Sequence, residues 1–353
     1  MRVLITGGAG FVGASAACAL AAAHPDWEIV ALDNLKRRGS ELNLPRLRAA
    51  GVQFAHGDVR APDDLEAVGA LDALLECSAE PSVLAGIDGS PGYVVQTNLL
   101  GAYHCLELAR RRGAQFVFLS TSRVYPVQPL ERLALAETET RFELTERQSV
   151  PGVSPAGISE AFPLAGPRTI YGATKLAAEL LIEEYRATFG IRAVVNRCGV
   201  IAGPWQMGTV DQGVFTHWML AHRLGRPLRY IGFEGSGRQV RDLLHVDDLV
   251  ELIDEQLRAP VRWDGVTVNV GGGYEGSLSL LETTALCAEL TGTEITVRRS
   301  TETRPGDVPF YVSDCTRLFG LTDWRPRQRP REILADIDAW ITANLDVVGR
   351  TLG

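Results

Sequence analysis

Six cysteines are all that this chain of 353 residues contains, and they form no pattern. Cys18, Cys77, Cys105, Cys198, Cys287 and Cys315 include no C-x-x-C pair and no histidine partner at metal-ligand spacing. That excludes a disulfide framework or a zinc module and points to reduced, mostly buried thiols, with no metal site expected. Long apolar runs are missing too: no stretch reaches the length of about 18 residues that a membrane span needs, so no membrane partner is expected. The N-terminus enters a strand-like run, Arg2-Val3-Leu4-Ile5-Thr6, in place of a basic and then apolar leader, and the compartment expected is the cytoplasm. Positive charge is also in short supply. A formal charge of −8 argues against nucleic acid as a partner, although a local basic pocket for a diphosphate remains open. What is present is ordinary for a globular chain, 46% apolar and 22% charged, and long enough to bury a core without staples.

Short apolar or β-branched runs alternate with helical stretches through the first half. Residues 2–6, 28–32, 52–56, 73–77 and 115–120 read as buried strands, and 15–23, 93–112 and 171–189 as helices, followed by a strand at 192–197. This alternation predicts an α/β fold, a Rossmann-type doubly wound parallel sheet. Beyond about residue 200, glycine-rich punctuation breaks the pattern into short elements, with a helix expected at 278–290. The expected organisation is a dinucleotide-binding domain over 1–198 and a smaller C-terminal substrate-binding lobe over 199–353, with segments returning to the main domain. Residues 126–168, with six prolines, read as an ordered insertion over the site.

Thr6-Gly7-Gly8-Ala9-Gly10-Phe11-Val12-Gly13 follows the first strand and opens a helix. Glycines at this spacing permit a tight turn and close backbone approach to a pyrophosphate, to which the helix N-terminus presents oriented N–H groups. Asp33 closes the second strand, where a carboxylate accepts from ribose hydroxyls and repels a 2′-phosphate. That favours NAD; Lys36, Arg37 and Arg38 leave NADP open. Asp58, after the third strand, is placed to accept from an adenine amino group or to cap a turn.

Tyr171-Gly172-Ala173-Thr174-Lys175 sets a phenol and an ammonium four residues apart on one helix face, where the cation favours the phenolate. Ser120-Thr121-Ser122-Arg123-Val124-Tyr125 ends the fifth strand, at the edge where open parallel sheets bind ligands. With the glycine turn, Asp33, Arg241-Asp242-Leu243-Leu244-His245-Val246-Asp247-Asp248 and Arg304-Pro305-Gly306-Asp307, these motifs fall in the order of the extended short-chain dehydrogenases/reductases. The chain resembles that family of sugar-nucleotide epimerases and dehydratases over essentially its whole length.

The resemblance implies Thr121, Tyr171 and Lys175 as the catalytic set, with Tyr171 the acid/base and Lys175 also holding the nicotinamide ribose. It implies NAD contacts from Gly7, Gly10, Phe11, Val12, Gly13, Asp33, Asn34, Asp58, Val59, Ser78, Ala79 and Asn98, besides Tyr171 and Lys175. Expected at the substrate are Glu80, Ser122, Arg123, Gln206, Arg241 and Arg304, the last two as forks for its diphosphate. A homodimer paired through helices 93–112 and 171–189 is also implied.

Dehydratases of the family carry Asp-Glu where this chain has Ser122-Arg123, which argues against elimination. Residues 137–142, Gln206 with Asp211-Gln212-Gly213, 237–242 and 277–282 resemble the CDP-paratose 2-epimerase branch. Departures lie at Ser122 and Arg123, at Val200, and at Glu76-Cys77-Ser78-Ala79-Glu80-Pro81, where many relatives have His-Leu-Ala-Ala. The expected activity is epimerisation by transient oxidation of a nucleotide sugar, with C2 of a CDP-linked deoxysugar the best single position. A 4-epimerase, a dehydrogenase/reductase or a non-catalytic NAD-binding protein are the alternatives.

Overall fold

A computed structural model describes residues 1–87, 89–208 and 212–352. Asp211, part of one branch resemblance above, lies outside the described residues. The chain divides into two compact units, one of 1–121, 170–197 and 249–267, the other of 122–169, 198–248 and 268–353. Among the described residues no helix is long and apolar enough to cross a membrane.

The first unit is organised by a seven-stranded sheet. Its strand order is Val266–Val270, Ala193–Cys198, Gln115–Thr121, Ala73–Glu76, Arg2–Thr6, Glu28–Asp33 and Gln53–His56. Pairing is parallel from Gln53–His56 across to Gln115–Thr121, with Val3 opposite both Ile29 and Ala73. Every residue of Ala73–Glu76 and Gln115–Thr121 is buried, as strands covered on both faces require. Phe116 and Phe118 lie against Ala102, Leu106 and Ala109 of Gly101–Arg112 and Ala178 and Ile182 of Ile170–Phe189.

Some element ends differ from the sequence reading, each for a local reason. The first helix spans Phe11–Ala23, starting four residues early, because Gly10 serves as its N-cap and Ala14 N–H already reaches Gly10 O at 2.9 Å. The helix expected at 278 begins at Leu280. Ser279 and Glu282 form a capping box there, so 277–279 pairs as a strand instead. The stretch expected at 93–112 is helical from Gly92, but Gln96–Leu100 is a π-helical segment.

In the second unit Val240–His245 is central. It pairs parallel with Val200–Ala202 and Phe310–Tyr311 and antiparallel with Ser277–Ser279. Residues 126–168 are ordered, with a short helix Val127–Glu131 and two small hairpins. Helices Val214–Arg223, Leu280–Thr291 and Pro330–Ala343 pack on one another, joined by a Trp218 Nε1 bond to Thr284 Oγ1 at 3.0 Å and an Arg223–Asp338 ion pair.

Asp242, wholly buried in this unit, accepts from Gly273 N–H at 3.3 Å. Burial pushes its carboxyl up to about 6, against the lowering effect of Ser313 and the Gly273 N–H. A raised carboxyl means that the folded state holds the proton more tightly. The associated stability is full below the unfolded value near 4 and is lost as pH rises through about 6. Chemical denaturation of Asp242→Asn and the unsubstituted protein at pH 4 and pH 8 checks this. The difference is expected to move in the variant's favour by about 3 kcal/mol, and a difference that stays constant contradicts it.

Candidate active site

The glycine turn forms as the spacing demands. Gly7 adopts φ +63° and its O accepts Gly10 N–H at 2.9 Å. A Cβ on Gly13 would lie 2.2 Å from that same Gly7 O, so any side chain forces the turn open. The helix it starts has no side-chain cap and no acidic residue in its first turn. Uncapped N–H groups at Phe11, Val12 and Gly13 therefore face the turn with the positive end of the helix dipole, which fits a pyrophosphate.

Asp33 is built into the same cradle. Its carboxylate accepts Ala9 N–H at 3.0 Å and Leu35 N–H at 2.8 Å. Burial raises its proton affinity, and these backbone donors work against that rise. A carboxylate fixed in this way retains lone pairs for ribose hydroxyls. Asn34 Nδ2 donates to Asp58 Oδ2 at 2.9 Å, and Arg60 grips both oxygens of Asp58, at 2.6 Å through Nη2. The Arg60 hydrogen bonds, against burial, hold the Asp58 carboxyl far below the usual range. Lys36 Nζ sits 3.4 Å from the Tyr93 ring centroid, which gives one of the three basic residues after Asp33 an aromatic partner. The Val59 side chain is part of the core cluster, so only its backbone is available to a ligand.

Asn98 is drawn out of regular helix by the π segment. It is 1% exposed, accepts Glu80 N–H at 2.7 Å and donates to Glu80 O at 3.0 Å. It thus braces the loop after the fourth strand, to which Ser78, Ala79 and Glu80 belong. Glu80 itself turns back, its Oε1 accepting Ser82 N–H at 3.3 Å.

The helix Ile170–Phe189 places Tyr171, Lys175 and Glu179 at four-residue intervals along one face. Lys175 is 2% exposed, and its Nζ lies 3.3 Å from Glu76 Oε2 and 4.5 Å from the Phe118 ring centroid. Burial alone would lower the proton affinity of this amine. Glu76 and Tyr171 outweigh burial, so the ammonium is held above its ordinary value. Glu179 accepts from Ser120 Oγ and pairs with Arg197, at 2.7 Å through Nη2, behind the neighbouring Thr121. Sequence reasoning passed over Glu76, Glu179 and Arg197 as functional groups. The four-residue step from Tyr171 through Lys175 to Glu179 was the available signal for Glu179.

In the second unit, Ser122–Val124 is a single 3-10 turn after Thr121. Arg123 Nη1 donates to Gly306 O at 2.9 Å. Arg241 pairs with Asp307 Oδ1 at 2.7 Å and donates to Val240 O and Val308 O, each at 2.7 Å. Burial brings Arg241 down to about 10 and proximity to Arg123 adds to that, while Asp307 opposes it; it stays cationic near neutrality. His217 is pushed down by burial and by the neighbouring Arg304, so it is a neutral partner to that guanidinium that the sequence did not single out. Gln206, expected at the substrate, has its amide engaged by Ile201 O at 2.9 Å and Thr216 Oγ1 at 3.0 Å, as a loop brace.

Gly13→Ala is expected to weaken dinucleotide binding at least about tenfold, equivalent to ~1.4 kcal/mol, because its methyl would collide with Gly7 O. Calorimetric titration with the cofactor measures it; unaltered affinity would contradict the cradle.

Comparisons with known proteins identify the family. The family model described as "NAD dependent epimerase/dehydratase family" matches residues 3–271. The chain is 28% identical to CDP-paratose 2-epimerase of Salmonella typhi, over 97% of this chain and 100% of that one. It is 31% identical to dTDP-glucose 4,6-dehydratase of Streptomyces antibioticus, over 98% and 93%. Among solved structures, Thermus thermophilus UDP-glucose 4-epimerase in complex with NAD superposes with a TM-score of 0.77 at 26% identity, over 97% and 99%. This chain belongs to the NAD-dependent epimerase/dehydratase family, and NAD is its cofactor.

Proposed function

We propose that the protein is a nucleotide-sugar epimerase acting by transient oxidation, with C2 of a CDP-linked deoxysugar as its position of action. The observation that carries this is the pair that follows Thr121. Where elimination of water needs an acid and a base, the chain offers Ser122 and Arg123, and the arginine is bonded to Gly306 O. Resemblance to CDP-paratose 2-epimerase along that protein's full length supports the position. Likeness to a UDP-glucose 4-epimerase keeps C4 as the second reading.

Bound NAD supplies the reversible two-electron oxidation of the carbinol carbon. The protein's part is proton handling and orientation. Tyr171, as phenolate beside the Lys175 ammonium, takes the proton of the sugar hydroxyl and later returns it. The Thr121 hydroxyl polarises the same sugar oxygen. Asp33 holds the adenosine ribose and the uncapped N–H groups of the first helix hold the pyrophosphate. Arg304, with neutral His217 beside it, takes charge of the substrate diphosphate. Arg241, already paired with Asp307, adds positive field there.

Incubation with CDP-, UDP-, GDP- and dTDP-sugars in heavy water, read by NMR, tests the reading. Inversion of one carbon with no deuterium at that carbon is expected. Deuterium beside a new ketone would show enolisation or elimination and sink it. Tyr171→Phe is expected to lower turnover by roughly 10²–10⁴-fold with the cofactor still bound; turnover close to the unsubstituted protein's would remove Tyr171 from its role.

We also propose a cytoplasmic homodimer. Leu180 and Phe189 on the helix Ile170–Phe189 are 57% and 52% exposed, and Tyr103 on the helix Gly101–Arg112 is 38% exposed. Apolar groups of this size on two packed helices suit a second copy as their cover. Light scattering should give twice the chain mass, and the Leu180→Arg, Phe189→Arg double variant should give the monomer mass; a monomeric unsubstituted protein would refute the pairing.

A further inference from the structure

Glu76 has no part in the proton transfer assigned above, yet its surroundings are built around it. It ends the strand Ala73–Glu76 and is 0% exposed. A buried carboxylate is tolerated only when paired and hydrogen-bonded, and both of its oxygens are engaged. Oε1 accepts from Ser78 Oγ at 2.5 Å, and Oε2 meets Lys175 Nζ at 3.3 Å. Ser78 Oγ in turn lies 3.4 Å from Thr6 Oγ1. The Lys175 ammonium therefore answers to two groups, the Glu76 carboxylate and the Tyr171 phenol one helical turn before it.

Charge balance decides what that sharing does. With Glu76 ionised, Lys175 charged and Tyr171 protonated, the buried cluster is neutral. Ionising Tyr171, which is half-buried, then leaves the cluster with a net negative charge. Were residue 76 uncharged, the same ionisation would produce a neutral phenolate–ammonium pair. The other groups facing the cluster do not replace the Glu76 charge. Cys105, from the helix Gly101–Arg112, is fully buried and pushed well up by burial, so it stays a thiol. Thr6 and Phe118 are neutral, and Cys77, next to Glu76 in the chain, favours the Lys175 ammonium as Glu76 does and is the same in every variant compared. Glu179, one turn beyond Lys175, is neutralised by Arg197.

We propose that Glu76 is a positioning residue for Tyr171: its carboxylate anchors the Lys175 ammonium and offsets part of its field, keeping the phenol protonated to higher pH than an unopposed Tyr-x-x-x-Lys pair allows. The proposal rests on the reading of Tyr171 as the acid/base. A phenolate stabilised too strongly is a weak base, and one left unstabilised does not form near neutrality. A reaction that takes a proton and must give it back needs a setting between the two.

Ultraviolet difference titration of tyrosinate, with Tyr171→Phe as the subtracted reference, reads this directly in the purified cofactor-bound protein. In Glu76→Gln the Tyr171 midpoint is expected to fall by about one pH unit or more, the usual size for an altered charge within a few ångströms. Glu76→His, uncharged at the alkaline pH of the titration, should fall in the same direction and serves if the glutamine variant does not fold. Glu76→Asp, which keeps the charge, should stay near the unsubstituted midpoint. An unmoved midpoint in the folded uncharged variants overturns the proposal, as does an equal fall in Glu76→Asp. The titration needs no substrate. A falling midpoint in a protein inert toward every nucleotide sugar supports the coupling and sinks the epimerase reading, whereas epimerisation with an unmoved midpoint does the reverse.

Discussion

An ammonium shut away from water must be given its counter-charges by the fold itself, and Lys175 sets that requirement for the first unit. The fourth strand has to end on the face that delivers Glu76. The helix Ile170–Phe189 has to lie in the register that stacks Tyr171, Lys175 and Glu179. The fifth strand has to bring Ser120 to Glu179 while leaving Thr121 next in line. A slip of one residue in either strand would turn its side chains to the opposite face of the sheet and leave a charge buried without a partner, a loss of several kcal/mol. The ionic groups therefore act as registration marks for the hydrophobic layers as much as they serve chemistry.

The cofactor cradle and the catalytic cluster share backbone. A Cβ on Gly7 would stand 2.9 Å from the main-chain carbonyl of Cys77 and from Ser78 Cα. The glycine turn thus lies directly against the loop that follows Glu76 and carries Ser78 and Glu80. Asn98 clamps that loop from the other side through Glu80, and it reaches it because the π segment displaces it from α-helical register.

Much of this was legible from residue order. Parallel strands, the glycine spacing, the carboxylate after the second strand and the phenol–ammonium pair are local patterns whose chemistry dictates their place. What stayed hidden depends on distant segments meeting. Gln206 looked available as a ligand, but Ile201 and Thr216 engage its amide once the loop closes. Val59 looked like a site residue, while its side chain completes the core. Glu76 read as a departure from its relatives, and only the approach of a lysine 99 positions away makes it a partner. The early helix start at Phe11 and the strand at 277–279 were missed because caps outrank apolar periodicity at element ends.

The loop of Arg304-Pro305-Gly306-Asp307 is tied at two adjacent points, Gly306 by Arg123 and Asp307 by Arg241. Two cations are thus engaged in holding the segment that presents a third. Flexible arginines on a free loop would lose motional freedom each time an anion arrived, and that loss would be subtracted from the affinity. Here the ordering entropy is already surrendered when the chain folds, so in the role proposed for Arg304 a diphosphate would lose less of its attraction to ordering this loop.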